Sequence, residues 1–259
     1  MAIQSSFRQT WSMKTKTVAR GSQPSHHGVA RVISKLGMGS RSQAAQWVRD
    51  GRVRVNGRVV RDAEFPVRQG VHRIDIEGQH LAAAAARLVL MLNKPRGLVT
   101  TTKDEHGRDT VYRCFAGAAL PWLAPVGRLD KASEGLLLFS NDATWAARIT
   151  NPKSGPDKTY HVQIDRLPAA PLLERLVDGA VLDGERLTAK SVRCLRTGAK
   201  NAWLEIVLDE GRNRQIRRLL AAFNVSVLRL VRVAVGSLWL GELPKGQWRI
   251  LTEQEIDSL

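Results

Sequence analysis

Gly127-Arg128-Leu129-Asp130-Lys131-Ala132-Ser133-Glu134-Gly135-Leu136-Leu137-Leu138-Phe139 sets a charged segment directly before an unbroken apolar run. Four consecutive apolar side chains of this kind read as a strand buried on both faces. A charged loop entering such a strand is carried on a rigid support, which is where functional groups are commonly held. From these residues alone Asp130 is either a functional carboxylate or one half of a solvated turn ion pair.

Working outward from that strand, residues 88–92 form a second apolar run. Pro95 and Gly97 mark a turn, and residues 98–102 are expected to return as a strand. Downstream, the pattern predicts a helix at about 143–151, a strand over 158–164 and a helix over 171–177. A strand over 203–208 follows. Residues 212–223 read as a helix, with Ile216, Leu219, Leu220 and Phe223 on one face and Arg214, Arg217 and Arg218 on another. Strands are expected at 227–233 and 247–251, and Thr252 with Glu255 forms a capping box for a last short helix. Residues 87–259 therefore read as an α+β domain built on a mixed, largely antiparallel sheet.

Residues 28–80 have a different texture. Ala30, Ile33 and Leu36 share a helical face that ends at Gly37 and Gly39. Ser40 and Gln43 are a capping-box pair for a second helix to about residue 50. Asn56-Gly57 between Val53-Arg54-Val55 and Val59-Val60 is a hairpin signal, and Ile74-Asp75-Ile76 is a last strand. The segment holds ten Lys/Arg against five Asp/Glu, which makes it a basic αββ-type module. The alanine-rich residues 81–86 read as a linker or short helix. Residues 1–27 carry Arg8, Lys14, Lys16 and Arg20 with no acidic residue, and read as a disordered basic tail.

The whole chain is basic, with a formal net charge of +16 over 259 residues. Such a charge points to a polyanion, nucleic acid before membrane, because no apolar span of ~20 residues or lipidation motif is present. The N-terminus lacks the apolar core of a secretory signal, and a cytoplasmic protein is expected. Cys114 and Cys194 are expected to be buried free thiols. His106 and His161 lack metal-ligand spacing, and no phosphate-binding loop or dinucleotide fingerprint occurs, so no metal or cofactor is expected.

Two further stretches are candidates for chemistry. Glu210-Gly211-Arg212-Asn213-Arg214-Gln215-Ile216-Arg217-Arg218 presents guanidinium donors at a helix start, suited to an anion or to an exposed basic face. In Lys158-Thr159-Tyr160-His161-Val162-Gln163-Ile164, Tyr160 either packs or offers a stacking surface for a base.

Taken in order, these motifs resemble the RsuA-type family of ribosomal-RNA pseudouridine synthases, over about residues 28–252. Residues 28–80 are similar to the small RNA-binding module first known from ribosomal protein S-four, through residues 40–44 and 51–57. Leu92-Asn93-Lys94-Pro95-Arg96-Gly97 resembles the family's opening catalytic-domain motif, 127–138 its nucleophile motif, 158–160 its tyrosine motif and 211–218 its basic motif. Ser133 stands where the pattern has Thr, and Met91 near where an aromatic residue is common. The resemblance implies isomerisation of a uridine in ribosomal RNA, with a slight preference for the large subunit. It implies base flipping and a monomeric chain with no cofactor. It also implies roles: Asp130 the nucleophile, Tyr160 stacking on the base and assisting proton transfer, and Arg217, or Arg218 if the register shifts by one, pairing with Asp130. Arg128, Lys94 and Arg214 would contact RNA, as would Arg41, Arg49, Arg52 and Arg54 of the module. The alternative is a non-catalytic RNA-binding or ribosome-assembly protein of the same fold.

Overall fold

The computed structural model describes residues 26–68, 70–81, 86–102 and 104–259. The expected basic tail falls outside these residues except for His26 and His27. The latter lies in a strand, so the module begins slightly earlier than the sequence suggested. Most of the expected linker, 82–85, also lies outside them.

The N-terminal module runs β1 (His27–Gly28), α1 (Val29–Lys35), α2 (Arg41–Arg49), β2 (Val53–Val55), β3 (Arg58–Val59), β4 (Pro66–Val67), β5 (Ile74–Ile76) and β6 (Gln79–His80). Ser40 caps α2 through Gln43 in both directions, as the capping box requires. Asn56 and Gly57 both take positive φ, the geometry of a two-residue hairpin turn between β2 and β3. Val29, Ile33, Ala44, Val48, Val53 and Val67 close a core separate from the rest of the chain.

The larger part contains β7 (Val89–Lys94), β8 (Ala124–Val126), β9 (Glu134–Ser140), α3 (Ala143–Thr150), β10 (Lys158–Ile164), α4 (Ala170–Asp178), β11 (Ala180–Leu182), β12 (Glu185–Leu187), β13 (Ser191–Thr197), β14 (Ala202–Leu208), α5 (Gln215–Ala222), β15 (Val227–Val235), β16 (Leu238–Trp239), β17 (Trp248–Ile250) and α6 (Glu253–Asp257). Its main sheet follows the path β13-β14-β10-β15-β9-β7-β17. Pairing is antiparallel except between β15 and β9.

Strands β7 and β9 are buried along their whole length because the sheet carries a core on each face. Leu90, Leu92, Leu137 and Phe139 pack with Leu219 and Leu220 of α5 on one face. Val89, Met91, Leu136 and Leu138 pack with Trp145, Ile149 and Ile256 on the other. Met91, where an aromatic residue was expected, is thus an ordinary core side chain.

Several expectations are corrected. Residues 98–102 do not return along β7. Gly97, at φ 100°, turns the chain toward the 127–133 loop, and Val99 makes only an isolated bridge to Thr110. Helix α5 starts at Gln215 rather than 212, because Arg214 adopts left-handed geometry (φ 50°, ψ 32°). Cys194 is exposed and Cys114 half-buried, so neither is the fully buried thiol expected. The β11–β12 hairpin carried a readable Asp183-Gly184 signal that the sequence reading did not use. The edge strand β13, polar and exposed on most positions, carried none. No helix of the described residues is long and apolar enough to cross a membrane.

The parallel pairing within the main sheet depends on a glycine. Gly135 lies opposite Arg232 at φ 101°, and a Cβ there would come within 2.2 Å of the Arg232 carbonyl oxygen. The Arg232 Nε in turn donates to the Leu136 carbonyl at 2.7 Å. Gly135→Ala is expected to cost about 3 kcal/mol through backbone strain and overpacking. The measurement is the urea midpoint at unchanged slope; a wild-type midpoint would contradict this close approach.

Candidate active site

The segment between β8 and β9 is held by its backbone rather than by its side chains. Five consecutive carbonyls each accept a hydrogen bond from outside or across the loop: Leu129 from the Thr100 hydroxyl (2.7 Å), Asp130 from Lys94 Nζ (3.2 Å), Lys131 from Gly97 N (2.8 Å), Ala132 from Arg217 Nη2 (3.3 Å) and Ser133 from Lys94 Nζ (2.9 Å). Ser133 N also donates to the Asp130 carbonyl at 3.0 Å. Residues 94–100 therefore dock onto this loop and supply three of its donor groups, the Lys94 ammonium, Gly97 N and the Thr100 hydroxyl.

Lys94 is fully buried, and its ammonium makes a third bond to the Pro95 carbonyl at 3.1 Å. Burial pushes it down to about 8, partly opposed by the charge of Asp130. This corrects its expected role as an RNA contact: a side chain enclosed by protein, with its donors on backbone carbonyls, does not reach a phosphate. Ser133, the expected threonine position, is buried beside it.

The loop forms part of the wall of a cavity of about 570 Å³ that gathers Arg128, Asp130, Tyr160, Arg214 and Arg217. Tyr160 stands on the inward-facing register of β10 and is 8% exposed. Lys158, which the tyrosine motif carries without an assigned role, and Arg232, which no motif marks, also line this cavity, whereas Thr100 holds the loop without lining it. Burial, and then the nearby charge of Arg232, push the Lys158 ammonium down. Six cationic side chains line the cavity against Asp130 and Glu210, a local field that favours an anionic ligand.

Among the described residues, the cation at ion-pair distance from Asp130 is Arg214, with Nη1 at 3.6 Å from Oδ2. The expected partners lie elsewhere. Arg217 reaches the Ala132 and Val227 carbonyls, and burial pushes its guanidinium below the ordinary range, helped by the charge of Arg214. Arg218 turns to the β11–β12 hairpin, binding Glu185 at 2.8 Å and Asp183 at 3.3 Å. The left-handed turn at Arg214 explains the difference, because it swings that side chain off the face expected of a continuous helix. Buried Gln215 fixes this turn. It donates to the Thr188 carbonyl and Glu210, and accepts from Arg212 N.

The four module arginines are exposed and locally engaged, Arg41 with Glu64 and Arg52 with Glu77, Arg54 with the Gly57 carbonyl and Arg49 with Gln46. Exposed pairs of this kind are weak and exchangeable for phosphates. His161 points to the opposite face of β10, 3.5 Å from Glu205.

A positive cavity with Asp130 and one aromatic ring in its wall, beside a separate basic module, fits an enzyme that acts on RNA. The chain belongs to the RNA pseudouridylate synthase family: that family's model matches residues 88–222, and an S4 domain model matches residues 29–72. It is therefore an RNA pseudouridine synthase, an isomerase, with an N-terminal S4 RNA-binding domain. An "uncharacterized RNA pseudouridine synthase" of Rickettsia bellii is 34% identical over 87% of this chain and 97% of its own length. The "ribosomal large subunit pseudouridine synthase B" of Pseudomonas aeruginosa is 35% identical over 88% of this chain and 60% of its own, and that of Bacillus subtilis 32% over 88% and 93%. A crystal structure of a pseudouridylate synthase superposes with a TM-score of 0.62 at 31% identity, covering 90% of this chain and 99% of that one.

Lys94→Met removes the donor from three carbonyls and is expected to cost roughly 2–4 kcal/mol, together with most of the activity. The unfolded chain, with a lysine of ordinary pKa about 10.4, holds more protons than the folded one above about pH 8. The contribution of Lys94 to stability therefore rises with pH between those values. Denaturation of wild type and Lys94→Met across that window tests this; identical pH slopes would contradict it.

Proposed function

We propose that this protein converts a uridine of ribosomal RNA, preferentially in the large subunit, to pseudouridine with Asp130 as the nucleophile. The observation that carries this reading is the Asp130 carboxylate in the wall of a 570 Å³ cavity, on a loop whose carbonyls are tied one after another. The ribosomal substrate is supported by the names of the relatives from P. aeruginosa and B. subtilis.

The uridine is flipped out of its RNA into the cavity. Asp130 attacks the sugar or the base, the bond between ribose and base nitrogen breaks, the base turns and rejoins through carbon, and the bond to Asp130 is released so that the carboxylate is regenerated. The proton lost from that carbon leaves with help from Tyr160, which also stacks on the ring. Atoms and oxidation state are conserved. Arg214 keeps Asp130 charged when the RNA covers the site and the local dielectric falls. Arg217 holds the loop, and Arg128 supports the flipped nucleotide's phosphate. The module, residues 28–80, grips structured RNA through Arg41, Arg49, Arg52 and Arg54, and residues 87–259 form the catalytic domain. The protein works in the cytoplasm as a monomer. A non-catalytic role is disfavoured because Asp130, Tyr160 and Arg214 line one cavity.

Pseudouridine mapping of ribosomal RNA from a deletion strain and its parent is expected to lose one site, restored by wild type and not by Asp130→Asn. The Asp130→Asn protein retains RNA affinity within about threefold, since the change costs little binding energy. Arg214→Gln lowers single-turnover rate by tenfold or more, a barrier increase of about 1.4 kcal/mol. Wild-type turnover in that variant would return the pairing role to another cation.

A further inference from the structure

A second cavity, of about 460 Å³, lies against the first, and the two share Arg214 and Arg217 as walls. Beyond them it is lined by Ala221 and Asn224 at the end of α5 and by Val225 and Val227 leading into β15. No carboxylate lines it. Asp165, beside the lining residue Ser226, is held by Arg166 and by the Ser226 backbone N–H.

Two of its polar groups are unspent. The Nε of Arg217 is buried without a hydrogen-bond partner, although the rest of that guanidinium is bonded to carbonyls. A buried donor left in this state is costly, and the Arg217 side chain that carries it is a wall shared by both cavities. The Asn224 side chain makes no hydrogen bond among the described residues, and Asn224 sits in the left-handed region (φ 58°), which fixes its direction. The lining thus pairs guanidinium and amide donors with small apolar walls, a combination suited to a phosphodiester and the sugar beside it rather than to a second flipped base, for which it offers no aromatic ring.

We propose that this second cavity holds the phosphodiester adjoining the modified uridine, on Arg217, Arg214 and Asn224. The inference rests on the reading that the first cavity receives a flipped nucleotide. A flipped nucleotide remains joined to the chain on both sides, so the backbone has to leave the first cavity past its walls. The wall formed by Arg214 and Arg217 opens onto this second, cationic space. Arg214 then meets Asp130 on one side and RNA backbone on the other.

The test uses two variants outside the catalytic set. Ala221→Trp fills the cavity from an exposed position on α5. Asn224→Gly removes the amide and keeps the left-handed backbone, which glycine adopts freely. Phosphate-ethylation interference on ribosomal RNA maps the phosphates whose neutralisation blocks binding. One interfering phosphate, adjacent to the uridine that the wild type converts, is expected to vanish from the pattern in both variants. KM is expected to rise about tenfold while kcat stays within about twofold, and the salt dependence of Ala221→Trp binding to lose about one phosphate's worth of slope. An interference pattern unchanged in both variants overturns the inference, and so does loss of a phosphate distant from the converted uridine. If a phosphate is lost in the variants but wild type converts no uridine, the phosphate site stands and the isomerase reading falls instead.

Discussion

A lysine ammonium enclosed by protein needs acceptors, and Lys94 finds three in the carbonyls of Pro95, Asp130 and Ser133. Charged groups removed from water are tolerated only when paired or fully hydrogen-bonded. Here the acceptors are backbone atoms of the loop that carries Asp130. The requirement of the buried charge and the position of the carboxylate are thus satisfied by the same contacts. Thr100 and Gly97 extend the arrangement along the loop, and Arg217 closes it from α5. A carboxylate held this way presents its side chain to the cavity without relying on side-chain packing that an RNA ligand would disturb.

The clamp works only because β7, β9 and β15 lie in a fixed relation. β7 ends in Lys94, β9 begins just after Ser133, and the two pair antiparallel so that Lys94 stands opposite Gly135. Gly135 then admits the Arg232 backbone on its other side. At the entrance to β9, Glu134 is buried. Burial alone would raise its carboxyl, but hydrogen bonds from Arg229 and Lys245 outweigh that and hold it below its usual range. Charge compensation at the start of one strand therefore joins the loop, the sheet and the C-terminal segment. The same β15 brings Arg232 toward the cavity beside Tyr160, its cross-strand neighbour.

Electrostatics divides the basic residues into classes that composition does not separate. Some are committed to structure, as Lys94 and Arg232 are. Others, such as Arg128 on the cavity wall and the module arginines, remain exposed. Arg214 is intermediate: half-exposed, 3.6 Å from Asp130 and common to both cavities. An exposed pair at that distance is weak in water and strengthens once a ligand excludes solvent. The positive field that favours a polyanion and the cation that faces Asp130 are therefore parts of one surface.

The sequence by itself determined the elements whose patterns are local. The continuous apolar runs of β7 and β9 require burial on both faces, the alternation in β10 puts Tyr160 inward, and Ser40 with Gln43 and Thr252 with Glu255 start their helices. Motif order was also legible, and with it the membership in a pseudouridine synthase family. Only the tertiary structure decided the partners. Which arginine faces Asp130 turns on a single left-handed residue at 214. Lys94 is buried instead of RNA-facing because the chain after Gly97 folds onto a loop some thirty residues away in sequence rather than back along β7. Periodicity reports which face a side chain occupies; it carries no information about which distant carbonyl or carboxylate that face will meet, since that depends on how the strands are ordered in the sheet.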